Sequence, residues 1–115
     1  MAIKRFEDIL AWQKARQLTV LTYQSFNHLK DFGFRDQIQR AVISISNNIA
    51  EGFERGGNKE LRHFLFIAKA SCGELRSMIY ASSDLKYISH SEMQPLFKLS
   101  EEISRMLSAF IKKLD

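Results

Sequence analysis

The chain has 115 residues, 45% of them hydrophobic and 26% charged, and a formal net charge of +4. These values are typical of one globular domain, residues 1–115, and exclude a disordered or fibrous chain. The single cysteine, Cys72, excludes an internal disulfide framework, and no stretch approaches the ~20 apolar residues of a membrane span, so we expect a cytoplasmic protein without a membrane partner.

The first predicted helix covers about residues 6–29, where apolar side chains recur at steps of three and four. Its buried face is predicted to contain Phe6, Ile9, Trp12, Ala15, Thr19, Thr22, Phe26 and Leu29, widened by Leu10, Leu18 and Tyr23. Gly33 is the expected turn residue after this helix, because glycine tolerates positive φ.

The second and third predicted helices cover about residues 34–53 and 58–86. Gly56 or Gly57 is expected to end the second helix in the left-handed conformation. Asn58 is the expected N-cap of the third helix. Cys72 lies on the apolar face of that helix, so we expect a buried thiol there and not a reactive one.

The fourth predicted helix covers about residues 90–114, and Ser89 and Glu92 have the spacing of a capping box at its start. Ser91 is an alternative cap, and Pro95 predicts an irregular first turn or two. Four amphipathic helices with short connections predict an all-α, antiparallel up-down-up-down bundle.

The residues argue against an enzyme. A di-metal carboxylate site in a bundle needs two Glu-x-x-His motifs, and Glu60 to His63 is the single one here. There is also no glycine-rich phosphate loop. We therefore expect no catalytic residues, no bound metal and no cofactor.

A row of basic residues follows the third helix. Arg62, Lys69 and Arg76 recur every seven residues and so share one flank, with Lys59 near the same line. Three interpretations fit this row: a plain solvent-facing flank, a surface that packs against the acidic flank of another subunit, or a surface that contacts phosphates. Lys14 and Arg16 of the first helix, together with Lys4 and Arg5, are candidates to extend a phosphate-binding surface.

The second helix has a polar line at steps of four, three and four: Ser44, Asn48, Glu51 and Arg55. Polar side chains beside an apolar face must find partners when they are buried. We expect this line either to tie the helix to nearby helix ends or to form a subunit interface.

Several of these segments resemble one known family, the four-helix-bundle proteins encoded within intervening sequences of bacterial 23S ribosomal RNA genes. The opening Phe6-Glu7-Asp8-Ile9 and the run Gln39 to Gly52, with its Asn48-Ile49-Ala50-Glu51-Gly52 motif, are similar to the most specific parts of that family. The third helix is similar over Glu60-Leu61, Phe64-Leu65, Ile67-Ala68 and Ser71-x-x-Glu74-Leu75. The loop at residues 27–34 and Pro95 depart from the family pattern.

The resemblance implies that the protein assembles into a homo-oligomeric ring, often a pentamer. It implies no catalytic residues in this chain. Distant relatives are the accessory proteins of diversity-generating retroelements, which are basic pentameric barrels that bind nucleic acid and a reverse transcriptase. The sequence thus predicts a non-enzymatic oligomeric scaffold that associates with nucleic acid, RNA rather than DNA. The alternatives are a protein-interaction module without a nucleic-acid role and, more weakly, binding of the basic first helix to a membrane surface.

Overall fold

The computed structural model describes residues 3–114, so Met1, Ala2 and Asp115 of the predicted domain lie outside the described range. This range contains four helices and no strand: α1 (Leu10–Phe26), α2 (Phe32–Glu54), α3 (Asn58–Asp84) and α4 (His90–Lys113). The predicted all-α class is confirmed. Within residues 3–114, no helix combines the length and the apolar character that a membrane crossing requires.

The first helix is shorter than predicted. Phe6–Asp8 form a separate 3-10 turn, and Ile9 is extended (φ −75°, ψ 118°) before α1 begins at Leu10. Ile9 is buried and Phe6 packs edge-on against Trp12, with ring centroids 5.1 Å apart. Burial of these apolar side chains stabilises the interruption at Ile9 between the 3-10 turn and α1. The spacing of apolar residues in the sequence is also compatible with one continuous helix.

The second helix begins earlier than predicted because Asp31 caps it. Its side chain accepts a hydrogen bond from the Phe34 amide at 3.2 Å, so Gly33 lies inside the first turn and the prediction of Gly33 as a turn residue is wrong. The Tyr87 hydroxyl also donates to Asp31, at 2.7 Å. The Tyr87 bond, followed by the Phe34 bond, lowers the pKa of the Asp31 carboxyl, and the same contact raises the pKa of Tyr87.

The ends of α3 and α4 test the remaining capping predictions. Gly56 has a φ of 86°, which confirms the predicted left-handed glycine after α2. Asn58 is the first residue of α3 and not its N-cap, which is Gly57 without a side-chain bond. The capping box of Ser89 and Glu92 is confirmed, and α4 continues through Pro95 without an irregular start.

Each helix packs on its neighbours in sequence, and α1 also packs on α4. Within residues 3–114, the Cα atoms of α1 lie more than 8 Å from those of α3, and the Cα atoms of α2 lie more than 8 Å from those of α4. The four helices therefore occupy the four corners of an elongated body of 44 × 21 × 19 Å. The core between them is apolar and includes Leu18, Phe26, Ile45, Leu65, Leu75, Ile103 and Leu107. Leu10, which was predicted on the buried face of the first helix, is exposed instead.

Lys86 ends α3 in a conformation that lysine disfavours. Its φ is 62°, its amide donates to the Ser83 carbonyl, and the Tyr87 amide donates to the Ser82 carbonyl, which is the Schellman arrangement that usually has glycine at this position. Lys86→Gly is therefore expected to raise the free energy of unfolding by about 0.5–1 kcal/mol, because glycine adopts positive φ without the steric cost. Urea denaturation of the two proteins checks this, and an equal or lower midpoint for the variant would contradict it.

Candidate nucleic-acid interface

The basic row of α3 lies on the flank that faces α4. On this side Tyr80 packs edge-on against Phe97 of α4, with ring centroids 5.0 Å apart. The opposite flank of α3 faces α2, where the Ser71 and Ser44 hydroxyls lie 2.8 Å apart. Arg62, Lys69 and Arg76 thus follow the edge where α3 meets α4, over ~21 Å at 1.5 Å per residue.

The three basic side chains of this row differ in their surroundings. Lys69 is exposed, whereas Arg62 and Arg76 are half-buried. The Arg62 guanidinium lies over the Phe66 ring, 5.0 Å from its centroid. In the described part of the chain, neither Lys69 nor Arg76 has a carboxylate within 4 Å.

Arg76 also presents a donor that the described residues do not satisfy. Its Nη1 atom is buried and has no hydrogen-bond partner among residues 3–114. A buried donor of this kind is normally satisfied by a water molecule or by a ligand. Because Nη1 is buried, an anionic group at the α3–α4 edge can meet only the exposed part of this half-buried side chain.

A second basic row, which the sequence analysis missed, runs along α4. Lys98, Arg105 and Lys112 are all exposed and repeat the seven-residue spacing of the α3 row. The spacing alone would have revealed this row, but the last segment, residues 91–115, has four basic and four acidic side chains and so appeared neutral. Because α3 packs on α4, the two rows lie on adjacent helices. We call these six side chains the basic face.

α4 has three acidic side chains, and one of them, Glu101, lies beside the basic row, three residues after Lys98 and four before Arg105. Glu92 caps the helix start, where its bonds to Ser89 lower the pKa of its carboxyl. Glu102 faces α1, with its carboxylate 3.5 Å from the Lys14 ammonium. The charges of Glu92 and Glu102 are thus used at the helix start and at the junction with α1, whereas Glu101 offsets part of the positive charge of the α4 row.

Of the other predicted nucleic-acid residues, Lys59 lies beside the α3 row, three residues before Arg62, and two lie on another helix. Lys59 is exposed in the first turn of α3. Lys14 pairs with Glu102, and Arg16 is exposed with its guanidinium 5.7 Å from the Trp12 ring centroid. Both belong to α1, which does not approach α3, so the structure does not bring them together with the predicted row.

The polar line of α2 divides into two parts. The Asn48 side-chain amide donates to the Ser44 carbonyl at 2.7 Å and to the Ser44 hydroxyl at 2.9 Å, and Ser44 meets Ser71 of α3. Glu51 and Arg55 form an exposed ion pair of 2.9 Å. The first part joins the middles of α2 and α3. The second part lies at the end of α2, where the Arg55 guanidinium is also 5.1 Å from the Phe64 ring centroid of α3, so the expected tie near helix ends holds for this part alone.

Gly52 explains the end of the Asn48–Gly52 motif. A Cβ atom at this position would lie 2.6 Å from Cβ of Phe64 and 3.4 Å from the backbone of Leu61. Real Cβ atoms do not approach this closely, so any side chain at position 52 would push α2 and α3 apart. The motif therefore provides a close crossing of α2 and α3 at Gly52. One turn earlier, Asn48 provides the hydrogen bonds to Ser44.

The fold and this site define a class: an all-α, four-helix protein with a basic face and no strand within residues 3–114. The model of the 23S rRNA-intervening sequence protein family matches residues 7–109. The chain belongs to that family, which confirms the resemblance seen in the sequence.

A solved structure has the same fold. It is the crystal structure of a protein with unknown function from the S23 ribosomal protein family of Bacteroides thetaiotaomicron VPI-5482, with a TM-score of 0.84 and 24% sequence identity. The alignment covers 90% of this chain and 99% of that one. Comparison with curated proteins finds no match.

Proposed function

We propose that the protein is a non-enzymatic, homo-oligomeric scaffold that associates with nucleic acid through the basic face. Its ligand is RNA rather than DNA, and it acts in the cytoplasm, where a single reduced cysteine is expected. The bundle is up-down-up-down, an order favoured by its short connections, residues 27–31, 55–57 and 85–89.

The observation that carries the proposal is the pairing of two basic rows on adjacent helices. Phosphate backbones are bound by spaced Lys and Arg side chains, which release condensed counterions from the polyanion. Arg62, Lys69 and Arg76 along one helix, beside a matching row on the next, provide such a spacing over ~21 Å. The preference for RNA rests on the family, whose description refers to a ribosomal RNA intervening sequence.

Assembly into a ring, with five subunits as the family resemblance implies, has support from exposed apolar side chains. Leu10, Val20 and Leu21 of α1 are between 37% and 57% exposed. In the described residues, α1 contains no acidic side chain and two basic ones, Lys14, which is paired with Glu102, and Arg16. Depletion of charge around exposed apolar groups is a compositional mark of interfaces, so we place a subunit contact on α1.

Charge reversal on the basic face tests the proposal. Lys98→Glu, Arg105→Glu and Lys112→Glu together are expected to weaken binding to RNA at least tenfold at 0.15 M salt and to lower the salt slope by about two, because three phosphate contacts are lost. The Arg62→Glu, Lys69→Glu and Arg76→Glu variant should act in the same direction. Fluorescence anisotropy across a salt series measures both quantities.

The matched control is Lys30→Glu, Arg40→Glu and Lys86→Glu, which makes the same change of net charge at exposed positions on the loop after α1, on α2 and on the loop after α3. It is expected to bind RNA as the unmodified protein does. Circular dichroism and light scattering establish that all variants keep their helicity and mass. Equal loss in the control and in the α4 variant would show that general charge, and not the basic face, governs binding. Loss of assembly in the α3 variant would instead assign that row to a subunit interface.

A second candidate function is a protein-interaction module. It is favoured by an apolar groove of about 540 Å³ between the start of α1 and the end of α4, lined by Ile9, Leu10, Met106 and Phe110 among others. A groove of this kind suits an apolar side chain of another protein. Absence of salt-dependent binding to RNA and DNA at low salt would favour this function over the scaffold.

A further inference from the structure

Two aromatic side chains stand out on the solvent side of α3. Phe66 is 45% exposed and Tyr80 is 53% exposed, and their separation of fourteen positions corresponds to ~21 Å along the helix. Each ring packs against one neighbouring side chain. The Arg62 guanidinium lies over Phe66, and Phe97 of α4 packs edge-on against Tyr80. The rings are therefore held in place while about half of each remains open to solvent.

The helix surface between the two rings is formed in part by small residues. Ala70 and Ser77 are exposed and Gly73 lies between them. A Cβ atom at Gly73 would have no neighbour closer than Nη2 of Arg76, at 3.9 Å. The residues on this line between Phe66 and Tyr80 are thus small, and the Arg76 guanidinium is the side-chain group that lies nearest to Gly73.

The basic face borders the same line. Lys69 and Arg76 lie on α3 between Phe66 and Tyr80 in sequence, and the second basic row follows on α4. Aromatic platforms beside a positively charged track are the combination that binds single-stranded nucleic acid, because bases stack on the rings while phosphates meet the cations. A continuous duplex keeps its bases stacked on one another, so it can use the cations but not the rings.

Resting on the proposed function, we propose that Phe66 and Tyr80 are stacking platforms for unpaired bases, so that the ligand is single-stranded or looped nucleic acid. A stacked strand advances 3.4 Å per nucleotide, so about six nucleotides span the ~21 Å between the rings. The basic face then supplies affinity for the backbone, and the two rings discriminate unpaired strands from duplexes.

The test compares a 12-nucleotide single strand and a 12-base-pair RNA duplex as anisotropy probes. Phe66→Leu with Tyr80→Leu keeps apolar bulk and helix propensity but removes both rings, and it is expected to weaken single-strand binding at least tenfold while duplex binding stays unchanged. The matched control is Phe32→Leu. Phe32 is 60% exposed and has the Arg35 guanidinium 4.8 Å from its ring centroid, but it lies on α2, which does not approach α4.

The outcomes separate this inference from the proposed function. Selective loss of single-strand binding in the double variant, with none in the control, supports the platforms. Unchanged binding of both probes by the double variant, while charge reversal on α4 removes both, overturns the platforms and leaves the scaffold standing. No binding of either probe to the unmodified protein overturns both proposals.

Discussion

Gly52→Ala is expected to lower the free energy of unfolding by about 2 kcal/mol. Alanine is the better helix former by about 1 kcal/mol, but overpacking at a tight contact costs up to about 3 kcal/mol. The new Cβ would meet Cβ of Phe64 at 2.6 Å, and that atom is fixed to the backbone of α3. The two helices must therefore separate, and they form the most extensive helix pair of the bundle. Urea denaturation at fixed protein concentration measures the change.

Gly73→Ala is the matched control for this variant. Gly73 is also inside a helix, but its added Cβ would come no closer than 3.9 Å to Arg76. Stability should rise by about 0.5–1 kcal/mol, since only the helix propensity changes. Phe64→Ala should not rescue Gly52→Ala, because it leaves the Cβ atom in place. A Gly52→Ala protein as stable as the unmodified one would show that α2 and α3 do not cross so closely.

The Cys72 thiol is expected to react about a thousandfold more slowly than an exposed cysteine at pH 8. Cys72 is fully buried, and burial raises the pKa of its thiol from 9.0 to about 12, against a smaller opposing effect of the Arg76 charge. Only the thiolate is nucleophilic, and each pKa unit above the pH reduces its fraction tenfold. Colorimetric thiol labelling in native buffer measures the rate.

The comparison protein for this measurement is Lys98→Cys in a Cys72→Ala background, which places one thiol at an exposed position of α4. It should react at the rate of a free thiol. In 6 M guanidinium chloride the two proteins should react equally fast, because the protection of Cys72 comes from the fold. Rapid labelling of Cys72 in native buffer would mean that α3 opens readily or that the thiol is not enclosed.

The local spacing of apolar residues predicted the presence of all four helices correctly, but only some of the helix ends. The Ser89 capping box and the glycine at position 56 were found because each depends on a few adjacent residues. The start of α2 was misplaced because Gly33 was interpreted as a turn residue, although the bond that caps the helix joins Asp31 to the amide only three residues further on. The second bond of Asp31, from Tyr87 at a distance of 56 residues in the chain, leaves no trace in local spacing.

The candidate site was predicted in part. Arg62, Lys69 and Arg76 were identified from their spacing, whereas the α4 row was hidden by equal numbers of acidic side chains in its segment. Lys14 and Arg16 were grouped with the α3 row on charge alone. The structure separates them, because α1 and α3 stand at opposite corners of the bundle.

By itself, the sequence determined an all-α chain of four amphipathic helices, the side of α3 that is basic, and the family to which the chain belongs. These properties follow from periodicity and from short motifs, which are local. Only the tertiary structure decided that the two basic rows belong to helices that pack on each other, that Phe66 and Tyr80 remain exposed, and that Gly52 must lack a side chain. Each of these depends on which helix packs against which, and the pairing of helices is set by the shape of whole faces and not by any single residue.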